Sequence, residues 1–203
     1  MRTTKITFKG HSGDELAARL DAPSGRMVAT ALFAHCFTCS KDIAAARRVA
    51  GRLAALGIAV LRFDFTGLGH SGGEFANTSF TSNVQDLLAA ADWMRENLQA
   101  PQLVIGHSLG GAAAIRGGAQ IPEAKAIATI GAPHDPGHVV HNFGCALDDI
   151  ERDGKADVTL AGRTFTISQS FVEDVRSTNL DATLAGLHKA LLVLHAPMDQ
   201  TVG

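Results

Sequence analysis

Short, unbroken apolar runs recur along this chain, separated by longer stretches in which apolar residues are spaced as in helices. The runs predict buried strands, because each is too short for a helix of its own and has no polar face. They cover residues 28–34, 58–63, 103–105, 126–130 and 190–194. Two further strands precede them at 5–8 and 16–20, joined by the turn-rich residues His11–Asp14.

Two of the separating stretches carry an apolar stripe at helical spacing. They cover residues 43–56 and 83–98, and Gly57 ends the first of them. Strand–helix–strand alternation predicts an α/β fold with a mostly parallel sheet and helices on both faces. Ligands bind such sheets at the carboxyl ends of the strands, so we expect functional residues in the loops that follow those ends.

One segment, at about residues 134–187, interrupts the alternation between two core strands. Within it, residues 158–167 predict a β-hairpin that turns at Ala161-Gly162. A connection of this length inside a compact domain is usually functional, so we interpret the segment as a cap over the carboxyl edge of the sheet. With no internal repeat or interdomain linker evident, residues 1–203 are interpreted as one domain that carries this cap.

Composition restricts the partners of this domain. Hydrophobic residues make up 46% of the chain and charged residues 19%, which is typical of a globular protein. A net charge of −2 provides no basic field for a nucleic acid or an anionic membrane, so we expect neither as a partner. No apolar stretch approaches the roughly 20 residues of a membrane span, and no signal-peptide core is visible, which predicts a cytoplasmic protein.

A glycine-rich segment, Gly106-His107-Ser108-Leu109-Gly110, follows a predicted strand and precedes a helix of small residues. Gly-x-Ser-x-Gly at a strand-to-helix junction is the nucleophile elbow; in other contexts it is a glycine-rich turn with an incidental serine. The turn is so sharp that a Cβ on either glycine would collide with neighbouring atoms. The turn lifts the Ser108 hydroxyl clear of the backbone, and the amino terminus of the following helix favours developing negative charge. We therefore predict Ser108 as a catalytic nucleophile.

Attack by Ser108 on a carbonyl group would create an oxyanion that needs hydrogen-bond donors. The backbone N–H of Leu109, directly after the nucleophile, is the first predicted donor. The second is the N–H of Phe37, in the loop after the strand at 28–34, with Thr38 as the alternative. In the same loop we interpret His35 as a structural histidine that braces the loop by hydrogen bonding, rather than as a general base.

The other members of a triad should follow in the chain order serine, acid, histidine. Asp199, after the strand at 190–194, is the predicted acid, and Asp135, after the strand at 126–130, is its rival. Only four residues follow Asp199, and none is a histidine. Since none of the nine upstream histidines fits this chain order, we expect the base beyond residue 203 and little or no activity from these residues alone.

Cys36 and Cys39 form a Cys-x-x-Cys pair in the predicted oxyanion loop, and Cys145 is distant in sequence. Three cysteines are too few for a disulfide framework. A zinc site would need about four ligands, and no second pair supplies them. A thioredoxin-type redox role is an alternative. The interpretation we favour is that both cysteines are small residues in a tight loop.

Several motifs together resemble the α/β-hydrolase superfamily, and the resemblance runs over the whole chain. They are A-H-C-F-T-C-S-K-D-I at 34–43, L-R-F-D-F-T-G-L-G-H-S at 61–71, G-H-S-L-G-G at 106–111 and L-L-V-L-H-A-P-M-D at 191–199. More closely, the chain resembles the hydrolase domain of bacterial bifunctional proteins in which an OsmC-like domain, a peroxide-reducing fold with redox cysteines, follows.

The resemblance implies roles for particular residues and for segments that this chain lacks. It implies Ser108 as nucleophile, Asp199 as acid, and Phe37 and Leu109 as oxyanion donors. It also implies a last strand, a histidine-bearing loop and a helix after residue 203, and then the OsmC-like domain. Without that last strand, the apolar strand at 190–194 is expected to have an open edge.

These features predict a serine hydrolase that transfers the acyl group of an ester, thioester or amide to water through an acyl-enzyme. This chemistry requires no metal or organic cofactor, and the expected partner is a small-molecule acyl substrate. The alternative is a non-catalytic, hydrolase-like scaffold that serves a fused OsmC-like redox domain.

Overall fold

The computed structural model describes residues 1–160 and 162–202. Its strands are β1 (Arg2–Lys9), β2 (Glu15–Ala22), β3 (Ala29–Ala34), β4 (Ile58–Phe63), β5 (Leu103–His107), β6 (Ala126–Ile130), β7 (Lys155–Leu160), β8 (Arg163–Ser168) and β9 (Ala190–Leu194). Its α-helices are α1 (Ala44–Ala55), α2 (Phe80–Asn97), α3 (Leu109–Gln120), α4 (Ala146–Asp153), α5 (Gln169–Ser177) and α6 (Asp181–Ala185). Short 3₁₀ helices cover Phe75–Asn77 and Pro136–Phe143.

Seven strands form the central sheet in the order β1-β2-β4-β3-β5-β6-β9. From β4 to β9 all neighbours are parallel, whereas β2 is antiparallel to both β1 and β4. The predicted mostly parallel sheet is therefore confirmed. Its parallel part ends in β9, which pairs with β6 along the full length of both strands.

Helices cover both faces of this sheet because successive strand residues point to opposite sides. On β3, Phe33 belongs to an apolar cluster that contains Ala46 and Ala50 of α1. Its neighbour Leu32 belongs to the second and larger cluster, which includes Leu87 of α2. The continuous apolar runs in the sequence reflect this burial on two sides.

Helix α2 begins three residues before the predicted start at residue 83. The cause is a capping box: the Ser79 hydroxyl accepts a hydrogen bond from the Ser82 N–H, and the Ser82 hydroxyl accepts one from the Ser79 N–H. Helix α1 ends at Ala55, one residue before the predicted end, and Gly57 then adopts a φ of +89°. Left-handed backbone of this kind favours glycine after a helix.

The segment predicted as a cap (residues 134–187) consists of the second 3₁₀ helix, α4, the β7–β8 hairpin, α5 and α6. The antiparallel pairing of β7 with β8 confirms the predicted hairpin. Of its predicted turn, Ala161 lies outside the described residues. Rings of this segment pack against rings of the body: Phe165 lies 5.2 Å from Phe75, and Phe171 lies 5.2 Å from Phe37, centroid to centroid.

Strand β9 exposes its apolar side chains to an unusual degree for a strand of a parallel sheet. Leu192, Val193 and Leu194 are 55%, 60% and 48% exposed. Within the described residues, β9 has β6 as its one neighbour in the sheet, so its other edge carries unpaired backbone groups. An open, apolar edge was expected here, and such edges tend to pair with other chains.

None of the helices in the described part of the chain combines the length and the hydropathy that a membrane span requires.

Candidate active site

Ser108 lies at the sharp turn between β5 and α3. Its φ of +55° and ψ of −129° are rare for a residue other than glycine, and such backbone costs on the order of 1–3 kcal/mol. Hydrogen bonds hold the turn: the Ser108 N–H donates to the Ile130 carbonyl over 2.9 Å, and the Gly111 N–H donates to the Ser108 carbonyl over 2.7 Å. The surrounding structure thus maintains a strained serine, which is typical of functional sites.

The two glycines of the motif are required by close backbone approaches. A Cβ on Gly106 would lie 2.1 Å from the carbonyl oxygen of Gly110. A Cβ on Gly110 would lie 2.2 Å from the carbonyl oxygen of His35. Because the obstructing atoms belong to the backbone, neither clash is relieved by a side-chain rotation. The geometry agrees with the steric reason for the Gly-x-Ser-x-Gly spacing.

Two backbone N–H groups near Ser108 are without a protein acceptor in the described part of the chain. Leu109 is the first residue of α3, and the first N–H groups of a helix have no intrahelical acceptor. Phe37 lies in the turn after β3, and its N–H makes no backbone or side-chain hydrogen bond there. Both groups are therefore available as donors, as the predicted oxyanion role requires.

Phe37 is held in a four-residue turn, in which the Cys39 N–H donates to the Cys36 carbonyl over 3.1 Å. Thr38, the alternative donor, has a φ of +62°, which is strained for a β-branched residue. The Phe37 ring contacts the cap segment through Phe171. The turn and this ring contact with the segment at residues 134–187 both hold the loop.

Beneath the loop lies a buried charge network that the sequence did not reveal as such. Asp64, fully buried, accepts hydrogen bonds from the Lys41 backbone N–H over 2.5 Å and from the Lys41 ammonium over 2.6 Å. His35, also fully buried, donates a hydrogen bond of 2.8 Å from its Nδ1 to the Cys36 carbonyl. Burial lowers the pKa of His35. The expectation that His35 braces the loop by hydrogen bonding is confirmed. The hydrogen bonds between Lys41 and Asp64 hold the same loop to the end of β4.

The predicted acid, Asp199, lies in the turn after β9. Its Oδ1 accepts hydrogen bonds from the N–H groups of Thr201, over 2.9 Å, and Val202, over 3.0 Å. The bond from Val202 and, to a smaller extent, the bond from Thr201 lower the pKa of Asp199. Its carboxylate is therefore charged at neutral pH. Burial lowers the pKa of the neighbouring His107, and the negative charge of Asp199 opposes this shift only in part.

The rival acid, Asp135, occupies a different place. Its Oδ1 accepts a hydrogen bond of 2.8 Å from the Gly137 N–H and caps the second 3₁₀ helix. It lines a separate cavity with Arg176, whereas Asp199 lines the same cleft as Ser108. The structure therefore brings Asp199, and not Asp135, to the predicted nucleophile.

No histidine of the described residues is hydrogen-bonded to Ser108. His138 contacts the Thr201 carbonyl through Nε2 at 2.7 Å, and His195 contacts the Val202 carbonyl through Nε2 at 2.9 Å. His107, the neighbour of Ser108, has a buried Nδ1 without a partner in this part of the chain. The sequence-based expectation that none of these histidines is the base remains a prediction.

A cleft of about 490 Å³ connects the predicted site residues. Its walls come from the body and from the cap segment; they include Phe37, Ser108 and Asp199 of the body, and Val139, Asn142 and Leu160 of the cap segment. A volume of this size suits a small molecule.

Cys36 and Cys39 differ from the favoured expectation, because the structure joins them in a disulfide. The turn brings their Cα atoms to 5.3 Å, well within the range that a disulfide requires. Cys145 remains a free, exposed thiol. The pairing depends on a local turn whose geometry a Cys-x-x-Cys spacing does not by itself determine.

The parallel sheet with its antiparallel β2, the strained serine at a strand-to-helix turn and the carboxylate of Asp199 after a later strand are typical of an α/β hydrolase. Within that class, the family model described as serine aminopeptidase, S33, matches residues 29–148. The match covers more than half of the chain, so the chain belongs to this family.

Solved structures agree with this assignment. The esterase domain of a Rhodothermus marinus protein is 46% identical to the chain; the alignment covers 100% of this chain and 80% of that one, with a TM-score of 0.78. Est1E from Butyrivibrio proteoclasticus, in a structure with ferulic acid bound, is 21% identical, with coverages of 97% and 80% and a TM-score of 0.82. The mouse α/β hydrolase domain-containing protein 10 is 22% identical, with coverages of 98% and 80% and a TM-score of 0.75. The last two show the fold alone.

No curated protein matches the sequence.

Proposed function

We propose that this protein is a serine hydrolase of the esterase type, which cleaves an ester, thioester or amide through an acyl-enzyme. One observation carries the proposal: Ser108, strained at the elbow, opens into the cleft that also contains Phe37 and Asp199. The 46% identity to the Rhodothermus marinus esterase domain supports an acyl substrate.

In the proposed reaction, the Ser108 Oγ attacks the substrate carbonyl carbon while a general base accepts the hydroxyl proton. The carbonyl oxygen becomes an oxyanion and accepts hydrogen bonds from the N–H groups of Phe37 and Leu109. The oxyanion collapses, and the alcohol, thiol or amine departs with the proton that the base returns. Water then attacks the acyl-enzyme by the same route and frees Ser108.

Asp199 is the proposed orienting acid. Its backbone hydrogen bonds keep it ionised, and a carboxylate in this position stabilises the imidazolium that forms when a histidine accepts the serine proton. Thr201 and Val202 both donate to Oδ1 of this carboxylate. The other oxygen, Oδ2, lies near Gly131 and takes no part in those two bonds.

Three expectations about the whole gene product stay predictions. They are a base-bearing histidine beyond residue 203, an OsmC-like domain after it, and a location in the cytoplasm. Reading the gene downstream of codon 203 tests the first two, and cell fractionation with an antibody tests the third.

The test of the proposed function is hydrolysis by the full-length gene product. A panel of p-nitrophenyl esters of increasing acyl length, with a matched thioester and anilide, should include at least one substrate whose hydrolysis disappears in Ser108→Ala. Asp199→Asn should lower kcat by several orders of magnitude, since loss of a triad acid does so elsewhere. Asp135→Asn is the matched control and should leave kcat nearly unchanged.

The alternative, a non-catalytic scaffold for a redox domain, predicts a different result. Folded full-length protein would then hydrolyse none of the panel above the rate of Ser108→Ala. That result would contradict the proposed hydrolase.

A further inference from the structure

The Cys36–Cys39 disulfide lies within the loop that supplies the second oxyanion donor, and the proposed hydrolysis makes no use of it. The two cysteines enclose only Phe37 and Thr38. Cys36 also lines the cleft beside Ser108. Any change at these sulfurs therefore acts directly on the backbone that carries the Phe37 N–H, the proposed oxyanion donor.

We propose that Cys36 and Cys39 form a reversible thiol–disulfide site, and that the disulfide form holds the Phe37 N–H in place for the oxyanion. The chemical class of its reductant is a small dithiol, and that of its oxidant is a hydroperoxide. The effect on hydrolysis rests on the proposed function, whereas the redox chemistry of the cysteines does not.

The two sulfurs differ in accessibility, which gives the exchange a direction. Cys36 is 9% exposed and packs at the inner side of the loop, whereas Cys39 is partly exposed. A thiolate of the dithiol attacks the Cys39 sulfur; the S–S bond breaks, and Cys36 leaves as a thiolate that takes up a proton. The second thiol of the dithiol then attacks the mixed disulfide and releases Cys39, which also takes up a proton.

In total, the dithiol transfers two electrons and two protons to the Cys36–Cys39 disulfide and is itself oxidised to a disulfide. In the opposite direction, a hydroperoxide oxidises one cysteine thiolate to a sulfenic acid and leaves as an alcohol. The second thiol attacks the sulfenic sulfur, water departs, and the disulfide forms again.

The backbone of Thr38 links the oxidation state of this disulfide to the position of the Phe37 N–H. A β-branched residue at a φ of +62° persists only where the surroundings impose it. The disulfide and the hydrogen bond from the Cys39 N–H to the Cys36 carbonyl close the turn around Thr38. Once the disulfide opens, Thr38 is free to leave the left-handed region, and the adjacent Phe37 amide turns with it.

The cap segment gives the loop a second attachment, which limits how far it moves. The Phe37 ring packs against Phe171, and the Arg163 guanidinium donates to the Thr38 carbonyl over 3.4 Å. Reduction is therefore expected to displace the amide without unfolding the loop. Complete loss of one oxyanion donor costs about 10²–10³ in kcat, so a displaced donor should cost about 10-fold or more, with little change in KM.

The experiment first counts thiols, which requires no activity. In the full-length gene product, alkylation and peptide mapping should find Cys145 modified before reduction, and Cys36 and Cys39 modified only after dithiothreitol. Incubation with tert-butyl hydroperoxide after the reductant is removed should restore the disulfide. Failure of the Cys36–Cys39 pair to form under oxidising conditions, or failure to open and close, overturns the proposal.

The second measurement follows hydrolysis and the amide hydrogen exchange of residues 35–40 in both states. Reduction should lower kcat about 10-fold or more and accelerate exchange in this segment. Thr38→Asn should shrink both effects, because asparagine tolerates left-handed backbone. Cys145→Ser is the control and should respond like the wild type, whereas Cys36→Ala and Cys39→Ala should not respond to reductant.

Each outcome has one meaning. Equal kcat and equal exchange in the two states overturn the link to Phe37. If no hydrolysis is found but thiol counts and exchange change as described, the proposed function fails while the redox site stands.

Discussion

Gly110→Ala tests the close packing of the elbow against the oxyanion loop. The new Cβ would lie 2.2 Å from the His35 carbonyl oxygen and 2.7 Å from the Ala34 carbonyl oxygen, whereas an ordinary contact begins at 3.4 Å. Since both obstructing atoms are backbone, relief requires α3 and the loop after β3 to separate. Overpacking of a core usually costs 1–3 kcal/mol, so we expect a loss of at least about 3 kcal/mol here, or roughly 6–12 °C in Tm.

The assay is urea unfolding of Gly110→Ala, with Gly51→Ala as its control. Gly51 lies inside α1, and the nearest atom to its added Cβ would be the Met1 sulfur at 3.8 Å. The control should therefore stabilise the protein by up to about 1 kcal/mol, through helix propensity. Because the clash also separates Phe37 from Leu109, hydrolysis should fall in any Gly110→Ala protein that remains folded. Stability of Gly110→Ala within about 0.5 kcal/mol of the wild type would refute the reasoning.

Three further results are expected. Asp64→Asn removes the buried carboxylate that lies 2.6 Å from the Lys41 ammonium and leaves only the more exposed Asp42 carboxylate, at 3.5 Å. It should lower the free energy of unfolding by about 3 kcal/mol in urea; a loss below about 1 kcal/mol would disagree. His35→Gln should flatten the pH dependence of stability. Burial lowers the folded-state pKa of His35, so the unfolded chain binds the proton first and wild-type stability falls as the pH drops below about 6.5; equal slopes in both proteins would count against this. In a protein of residues 1–203 alone, Val193→Lys should reduce concentration-dependent light scattering, with a change in stability within about 0.5 kcal/mol; unchanged scattering would mean that β9 does not drive association.

Strand positions were well predicted from sequence because burial on both faces leaves a strong local signal. The bounds of β4, β6 and β9 are those that the apolar runs indicated. The start of α2 was missed because the signal is a pair of serine side chains outside the apolar stripe. Capping of this kind is visible in sequence only when the polar residues before a stripe are considered.

Some residues of the candidate site were predicted from a local motif, and others only from the order of the strands. Ser108 and Leu109 are neighbours in sequence, so a motif and a strand–helix junction located them together. Asp199 reaches the same cleft only because parallel strands end at one edge of the sheet, which the topology rule anticipates.

Two features of the site escaped prediction because they depend on three-dimensional detail. The contact between Lys41 and Asp64 joins residues 23 positions apart, and neither residue type indicates its partner. The Cys36–Cys39 disulfide depends on a turn with a left-handed threonine, a conformation that sequence disfavours.

The most direct test of the central claim, that Ser108 is the nucleophile, is covalent labelling by a fluorophosphonate probe. The folded full-length gene product should form one adduct, which peptide mapping should locate on Ser108, and Ser108→Ala should form none. Equal labelling of the two proteins, or an adduct on a different residue, would contradict the account.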